Sequence, residues 1–208
     1  MPYRPTEKTR AHKQAQQQKL LHSAVKLVAE EGFNGLKISQ VAERAGVATG
    51  SVYKYFDSKQ ALCAEVFKVA TIKEVEKVRQ QALGNRDESC TQRLLNTIEV
   101  FAQRAIQGRR LSYALLAEPV DPGVDQERLI YRQAYADIFI TLIEEGIERG
   151  EFRPQAASIS AAAITGALSE ALVAPLATAV KDNKDVETKA LITAIQGFCI
   201  HAVALEHG

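Results

Sequence analysis

A chain of 208 residues, 46% of them apolar, is long enough for one large domain or two modest ones with a real core. Its net charge of +1 is segregated: residues 1–60 hold ten Lys/Arg against five Asp/Glu, a net of +5, and residues 61–208 hold sixteen against twenty, a net of −4. Three cysteines, Cys63, Cys90 and Cys199, are far apart and odd in number, which argues against a disulfide scaffold or a metal-spaced cluster and for buried thiols in a reducing compartment.

The first thirteen residues form a polar leader in which Arg4, Lys8, Arg10 and Lys13 read either as a minor-groove arm or as a solvated tail. There is no apolar signal-peptide core. The longest uncharged run, residues 154–169, falls short of the roughly 20 apolar residues needed to span a bilayer, so a cytosolic chain away from membranes is expected. Alternation typical of strands is missing, and helical periodicity recurs throughout, which predicts an all-α fold.

In chain order, the first helix is predicted over residues 14–31, with Leu20, Leu21, Ala24, Leu27 and Val28 inward and Gly32 ending it. Ile38, Val41, Ala42 and Ala45 then give a short second helix one apolar face. Gly46 follows at once, where a sharp turn between crossing helices needs positive φ. A third helix over 49–56 turns Val52 and Phe56 inward and leaves Thr49, Gly50, Ser51, Tyr53, Lys54 and Tyr55 on or beside its open face. Those side chains are small, polar or hydroxylated, suited to base edges, thymine methyls and phosphate oxygens. This is the pattern of a helix-turn-helix, which places one helix in the DNA major groove. Asp57 or Ser58 caps the next helix, and Lys59 at its start runs against the helix-dipole preference, as a phosphate partner would explain.

The fourth helix is predicted over 59–81 with Leu62, Val66, Val69, Ile72 and Val75 inward, broken at Gly84-Asn85. Helices follow over 89–106 and 109–116, then a Pro/Gly loop from Glu118 to Gly123, then a long helix over 124–149. Glu144, Glu145, Glu148 and Glu151, with Arg149 and Arg153 among them, read as a solvated charged face. The last two helices are expected over 156–180 and 186–206, split by a polar turn at 181–185, with Pro175 kinking or ending the first. Ile159, Ala162, Ala163, Gly166, Ala167, Glu170 and Ala171 make a small-residue stripe on one; Leu191, Ala194, Ile195, Phe198, Ala202 and Leu205 make a stripe on the other.

Residues 32–62, carrying GF-x-G, V-A-x-x-A-G-V, G-S-V-Y-K-Y-F and S-K-x-x-L, resemble the DNA-binding domain of the TetR family of transcriptional regulators. The resemblance implies a homodimeric all-helical repressor. Residues 1–60 would form a three-helix DNA-binding domain, and residues 61–208 a helical domain for dimerisation and ligand binding. It further implies DNA contacts from Ser39, Thr49, Gly50, Ser51, Tyr53, Lys54, Tyr55 and Lys59. Two positions depart from the family pattern. Leu36-Lys37 stands where a capping Ser or Thr is usual, so that Lys37 can meet a phosphate itself. Ala48-Thr49 stands where Ser and a basic residue are usual, so no arginine is there to read guanine bidentately.

The resemblance also implies that the last two helices build a four-helix bundle across a two-fold axis; the alternative is that both stripes fill the monomer core. The middle helices would then hold a ligand pocket lined by Phe101, Tyr113, Tyr131, Tyr135 and Phe139, with Arg104, Glu118 and Arg132 as polar anchors. Such a pocket would take a small, mostly apolar or amphipathic molecule, a fatty-acyl or aromatic acid being one that suits arginines among aromatics. The same side chains also read as a packed core without a cavity.

An enzyme is not expected. His12, His22, His201 and His207 stand in no metal-binding spacing, and neither a nucleophile elbow nor a phosphate or dinucleotide loop is present, so no metal or cofactor is expected. Three readings stand: a ligand-responsive repressor, a DNA-binding dimer without small-molecule input, and a helical binding protein whose DNA contacts have lapsed.

Overall fold

The computed structural model of the chain describes residues 7–178 and 184–205, with side chains from 187 onward in the last helix. Arg4, Glu206, His207 and most of the turn expected at 181–185 lie outside the described residues. Among those described are α1 (Glu7–Gly35), α2 (Ile38–Ala45), α3 (Thr49–Val52), α4 (Lys59–Leu83) and α5 (Cys90–Gln107), then α6 (Arg109–Leu116), α7 (Pro122–Glu148), α8 (Ala157–Ala177) and α9 (Lys184–Val203). An isolated antiparallel bridge joins Phe152 to Ala204. The all-α expectation holds.

The helix ends follow from local chemistry. Ser58 Oγ accepts from the Ala61 amide at 3.0 Å and Ser89 Oγ from the Gln92 amide at 3.1 Å. Asp121 caps α7, its Oδ1 accepting from the Gly123 amide at 2.9 Å, with Pro122 in the first turn where a missing N–H costs nothing. Gly46 has φ 65 and closes α2 with its own amide bonded to Glu43 O and that of Val47 to Ala42 O. Pro175 lies inside α8, which ends within three residues at Ala177.

Four expectations change. The leader does not extend to residue 13: α1 starts at Glu7, so Lys8, Arg10 and Lys13 ride on exposed helical turns. The third helix stops at Val52. Residues 53–56 continue it as a tighter turn, with Lys54 N bonded to Ser51 O and Tyr55 N to Val52 O. In α4 Leu62, Val66 and Val75 are buried as expected, but Ile72 is 57% exposed, and Phe67, Ala70 and Thr71 are buried as well. The acidic cluster at the end of α7 is not all solvated, because Glu145 reaches into the protein to Arg93, which is fully buried. Arg93 donates to both Glu145 oxygens at 2.8 and 2.9 Å and through Nε to Ala82 O at 2.8 Å.

Two apolar clusters organise the chain. One joins Leu20, Leu27, Val41, Val52, Phe56 and Leu62 of the first four helices, with Ala114 and Val124 from farther along. The other joins Val78, Leu94, Ile98, Phe139, Leu142, Ile164, Leu168 and Cys199. α4 belongs to both, Leu62 to Phe67 in the first and Val75 to Ala82 in the second. The cysteines are buried and free, and burial pushes the Cys63 and Cys199 thiols up to about 11, which leaves them inert.

On α8, Ile159, Ala162, Ala163, Gly166 and Glu170 are exposed, so that stripe does not fill the monomer core. On α9, Phe198 is 62% exposed and Leu205 is open beside it, whereas Ile195 turns inward. By length and composition α8 is apolar enough to cross a membrane although its uncharged run is shorter; its other face packs on α7.

Candidate nucleic-acid interface and ligand cavity

The turn at Gly46 sets α3 across α2, with Val41, Ala42, Ala45, Val52 and Phe56 buried between them. The remaining side chains of α3 have nowhere to go but outward. Thr49, Gly50, Tyr53 and Lys54 are exposed, as are Lys37 and Ser39 on α2 and its approach; Ser51 and Lys59 are half-buried. Tyr55 is half-buried and packs against the first apolar cluster, so it is less open than the sequence suggests.

The charges are equally sorted. Arg44 is held in a two-pronged pair with Glu30, which spends its guanidinium within the protein. Lys37, Lys54 and Lys59 have no carboxylate partner among the described residues. No side chain caps α2 or α3.

A Cβ built on Gly50 would meet nothing within 4 Å. No internal contact requires glycine there, and in a helix it costs about 1 kcal/mol relative to alanine. Gly50→Ala is therefore expected to fold normally and melt slightly higher. If the backbone at residue 50 touches DNA, the variant binds operator at least about tenfold more weakly, a loss of about 1.4 kcal/mol readable by anisotropy titration. Unchanged affinity would assign Gly50 no role at the interface.

Between α4, α5, α6, α7 and α8 lies a cavity of about 130 Å³. Of the sequence-predicted lining, the structure brings together Phe101, Arg104, Tyr131, Tyr135 and Phe139, with Arg132 at the same cavity. Phe101 and Tyr135 meet edge to face at 5.4 Å, and burial drives the Tyr135 phenol strongly upward, so it stays neutral. Tyr113 does not line the cavity; it packs against the second apolar cluster. Arg104 is engaged with Glu74 by two hydrogen bonds. Sequence reasoning missed Phe67, Thr71, Leu111 and Leu115, which also line it.

Glu118 is not a pocket anchor. Its buried carboxylate accepts from the Phe33 amide at 2.9 Å and the Asn34 amide at 3.1 Å. The contact requires Gly32, whose φ of 79 breaks α1, and whose added Cβ would lie 2.6 Å from Glu118 Oε2. Arg128 holds the same loop, donating to the carbonyls of Leu115 and Glu118 at 2.9 Å.

α6 thus faces two ways. Leu111 and Leu115 line the cavity and pack on the first apolar cluster, and the loop after α6 grips the end of α1. A ring series runs parallel, Tyr131 to Phe67 at 5.9 Å and Phe67 to Phe33 at 6.4 Å. Glu118→Gln supplies only one acceptor oxygen for two amides and sets an NH₂ against the other. It is expected to cost about 1–3 kcal/mol for the orphaned buried N–H, seen as a Tm drop of about 2–4 °C per kcal/mol. An unchanged Tm would mean the two bonds carry no net stability.

An exposed second helix of a helix-turn-helix, set in a small basic three-helix unit and followed by a larger helical body, defines a DNA-binding regulator. Residues 20–66 match the family model of bacterial regulatory proteins of the tetR family. It is 26% identical over 145 residues to the HTH-type transcriptional repressor KstR2 of Rhodococcus jostii, covering 68% of this chain and 70% of that one. It is 23% identical over 136 residues to the fatty acid metabolism regulator protein of Bacillus subtilis, covering 64% and 69%. Its fold is similar to that of the transcriptional regulator FadR from Bacillus subtilis in complex with stearoyl-CoA, with a TM-score of 0.73 over 89% of this chain and 98% of that one at 19% identity.

Proposed function

We propose that the chain is a repressor that binds a pseudo-palindromic operator as a homodimer and responds to a small amphipathic effector. The observation that carries this reading is the double role of α6, which lines the cavity on one side and is tied through Glu118 to the end of α1 on the other. A ligand that shifts Leu111 or Leu115 changes the packing beneath the DNA-binding helices.

Residues 1–60 engage DNA and residues 61–208 hold the ligand and the dimer contact. Thr49, Gly50, Tyr53 and Lys54 enter the major groove, and Lys37, Ser39, Ser51 and Lys59 meet phosphates, with Tyr55 supporting the helix from behind. A phosphate at the start of α2 supplies the cap that Lys37 does not. The open faces of α8 and α9, with Ile159, Ala162, Ala163, Gly166, Phe198 and Leu205, pair with a second copy. Such a regulator works in the cytoplasm beside the chromosome.

The effector is an amphipathic anion of the fatty-acyl kind. Support comes from the apolar cavity with arginines at it, and from the fatty-acid regulators among the similar proteins, one of them solved with stearoyl-CoA. A coupling of about 1–3 kcal/mol changes operator affinity by roughly 5–150-fold. The test is operator titration with and without dodecanoic acid and its coenzyme A thioester, with the mass of the free protein read by sedimentation. A dimer whose operator affinity shifts with either compound supports the reading. A dimer that binds operator and answers to neither favours a regulator without small-molecule input, and a monomer overturns the dimer.

A further inference from the structure

Among the described residues, Thr71 carries a fully buried helical hydroxyl without a hydrogen bond. Ser23, Thr97, Thr141, Thr165 and Ser169 each donate back to the carbonyl four residues earlier, the usual resting place of a helical hydroxyl. The Thr71 oxygen makes no hydrogen bond at all, although the residue is only 5% exposed. An unmet buried hydroxyl is costly, so it usually signals a missing partner. Thr71 lies on the cavity wall, among Phe67, Leu115, Tyr131 and Phe139.

The charges around the cavity point the same way. Arg104 is spent on Glu74, and Arg128 on backbone carbonyls and Asp125. Arg132 has no partner among the described residues and its side chain is exposed. Among the described residues that line the cavity, Arg132 is a cation without a partner and Thr71 carries the one fully buried hydroxyl without a hydrogen bond.

We propose that Thr71 sets the specificity of the effector site, selecting an anionic amphiphile that carries a hydrogen-bonding oxygen on its hydrocarbon part, separate from the charged group held by Arg132. This rests on the effector reading above and narrows it, from fatty-acyl anions in general to oxygenated ones. The hydroxyl of Thr71 donates to or accepts from that oxygen, and a plain hydrocarbon chain leaves it orphaned. Discrimination of this kind is strong because the unmet group belongs to the protein.

The test uses the full chain with dodecanoic acid and its monohydroxy positional isomers, each titrated calorimetrically against wild type and Thr71→Val. Wild type is expected to bind at least one isomer about tenfold more tightly than the parent acid, the effect of one hydrogen bond to a buried group. Thr71→Val should bind the parent acid as well as wild type does and lose the preference. Without ligand it should melt higher, by about 2–4 °C for each kcal/mol gained, because the orphaned hydroxyl is gone and the shape is kept. Equal binding of parent and isomers by wild type overturns the proposal while leaving the effector site standing, and so does a preference that survives in Thr71→Val. If no acid of the set binds, the proposal is overturned, and the effector reading then rests on the separate titration with the coenzyme A thioester.

Discussion

Tyr53→Ala is expected to reduce operator binding to the level of random DNA, a loss of about 10³-fold or more, while leaving helicity and dimer mass unchanged. Tyr53 sits just past α3, 52% exposed, and is absent from the apolar cluster beneath. Truncating a side chain that supports nothing inside the protein changes stability by no more than about 0.5 kcal/mol. Its value must lie in what it touches outside. The ring offers a flat apolar face for a thymine methyl and a hydroxyl for a phosphate or base edge. Binding that remains should be the phosphate-driven kind and fall steeply with salt, since Lys37, Lys54 and Lys59 are untouched. Anisotropy titration against operator and scrambled DNA at two salt concentrations reads both effects. Wild-type affinity for operator would remove Tyr53 from the interface and place α3 wrongly on the DNA.

The second large effect is on stability. Glu145→Ala leaves the Arg93 guanidinium fully buried with Ala82 O as its remaining oxygen partner. Breaking one side of a buried pair costs about 3–5 kcal/mol, a large share of the 5–15 kcal/mol typical of a folded domain. A Tm lower by roughly 6–20 °C is expected. Replacing both members by apolar residues, Arg93→Met with Glu145→Leu, should recover much of the loss, because no charge is then stranded. Acid provides an independent check. The Arg93 hydrogen bonds hold the Glu145 carboxyl below its usual range, with nearby Arg149 helping. The pair's contribution is therefore full above the unfolded value of about 4.3 and is lost as pH falls through the depressed folded value. The Tm gap between wild type and Glu145→Ala should narrow as the solution is taken well below pH 4. A gap that stays constant from neutral pH into strong acid would show that ionised Glu145 is not what holds Arg93.

The helix-turn-helix was readable because its logic is local. Gly46 needs positive φ, Val52 and Phe56 need the core, and what is left must face out; each role is fixed by neighbours a few residues away. The middle of the chain was read less well because its roles are set by distant partners. Glu118 looks like a pocket anchor in sequence, yet its hydrogen bonds go to amides 85 and 84 residues away. Glu145 looks like part of a solvated cluster until α5 brings Arg93 to it. In α4, periodicity alone put Ile72 inward, but the helix is packed from two sides by α5 and α7, which turns Thr71 to the cavity and Ile72 to solvent. Nothing in the local pattern sets Ile72 apart from Leu62, Val66 and Val75, which are buried as the periodicity predicts. The α8 stripe was legible as a face of small residues, but only the packing of the opposite side on α7 shows that the monomer leaves it open.

The most direct test of the account is selection of DNA fragments from the source genome by the purified chain, followed by sequencing and retitration at two salt concentrations. A recovered pseudo-palindrome with half-site centres about 34–36 Å apart, bound far more tightly than random DNA at both salts, is expected. Recovery of no common sequence, with weak binding that vanishes as salt rises, would contradict it and reduce the basic face of residues 1–60 to non-specific phosphate contact.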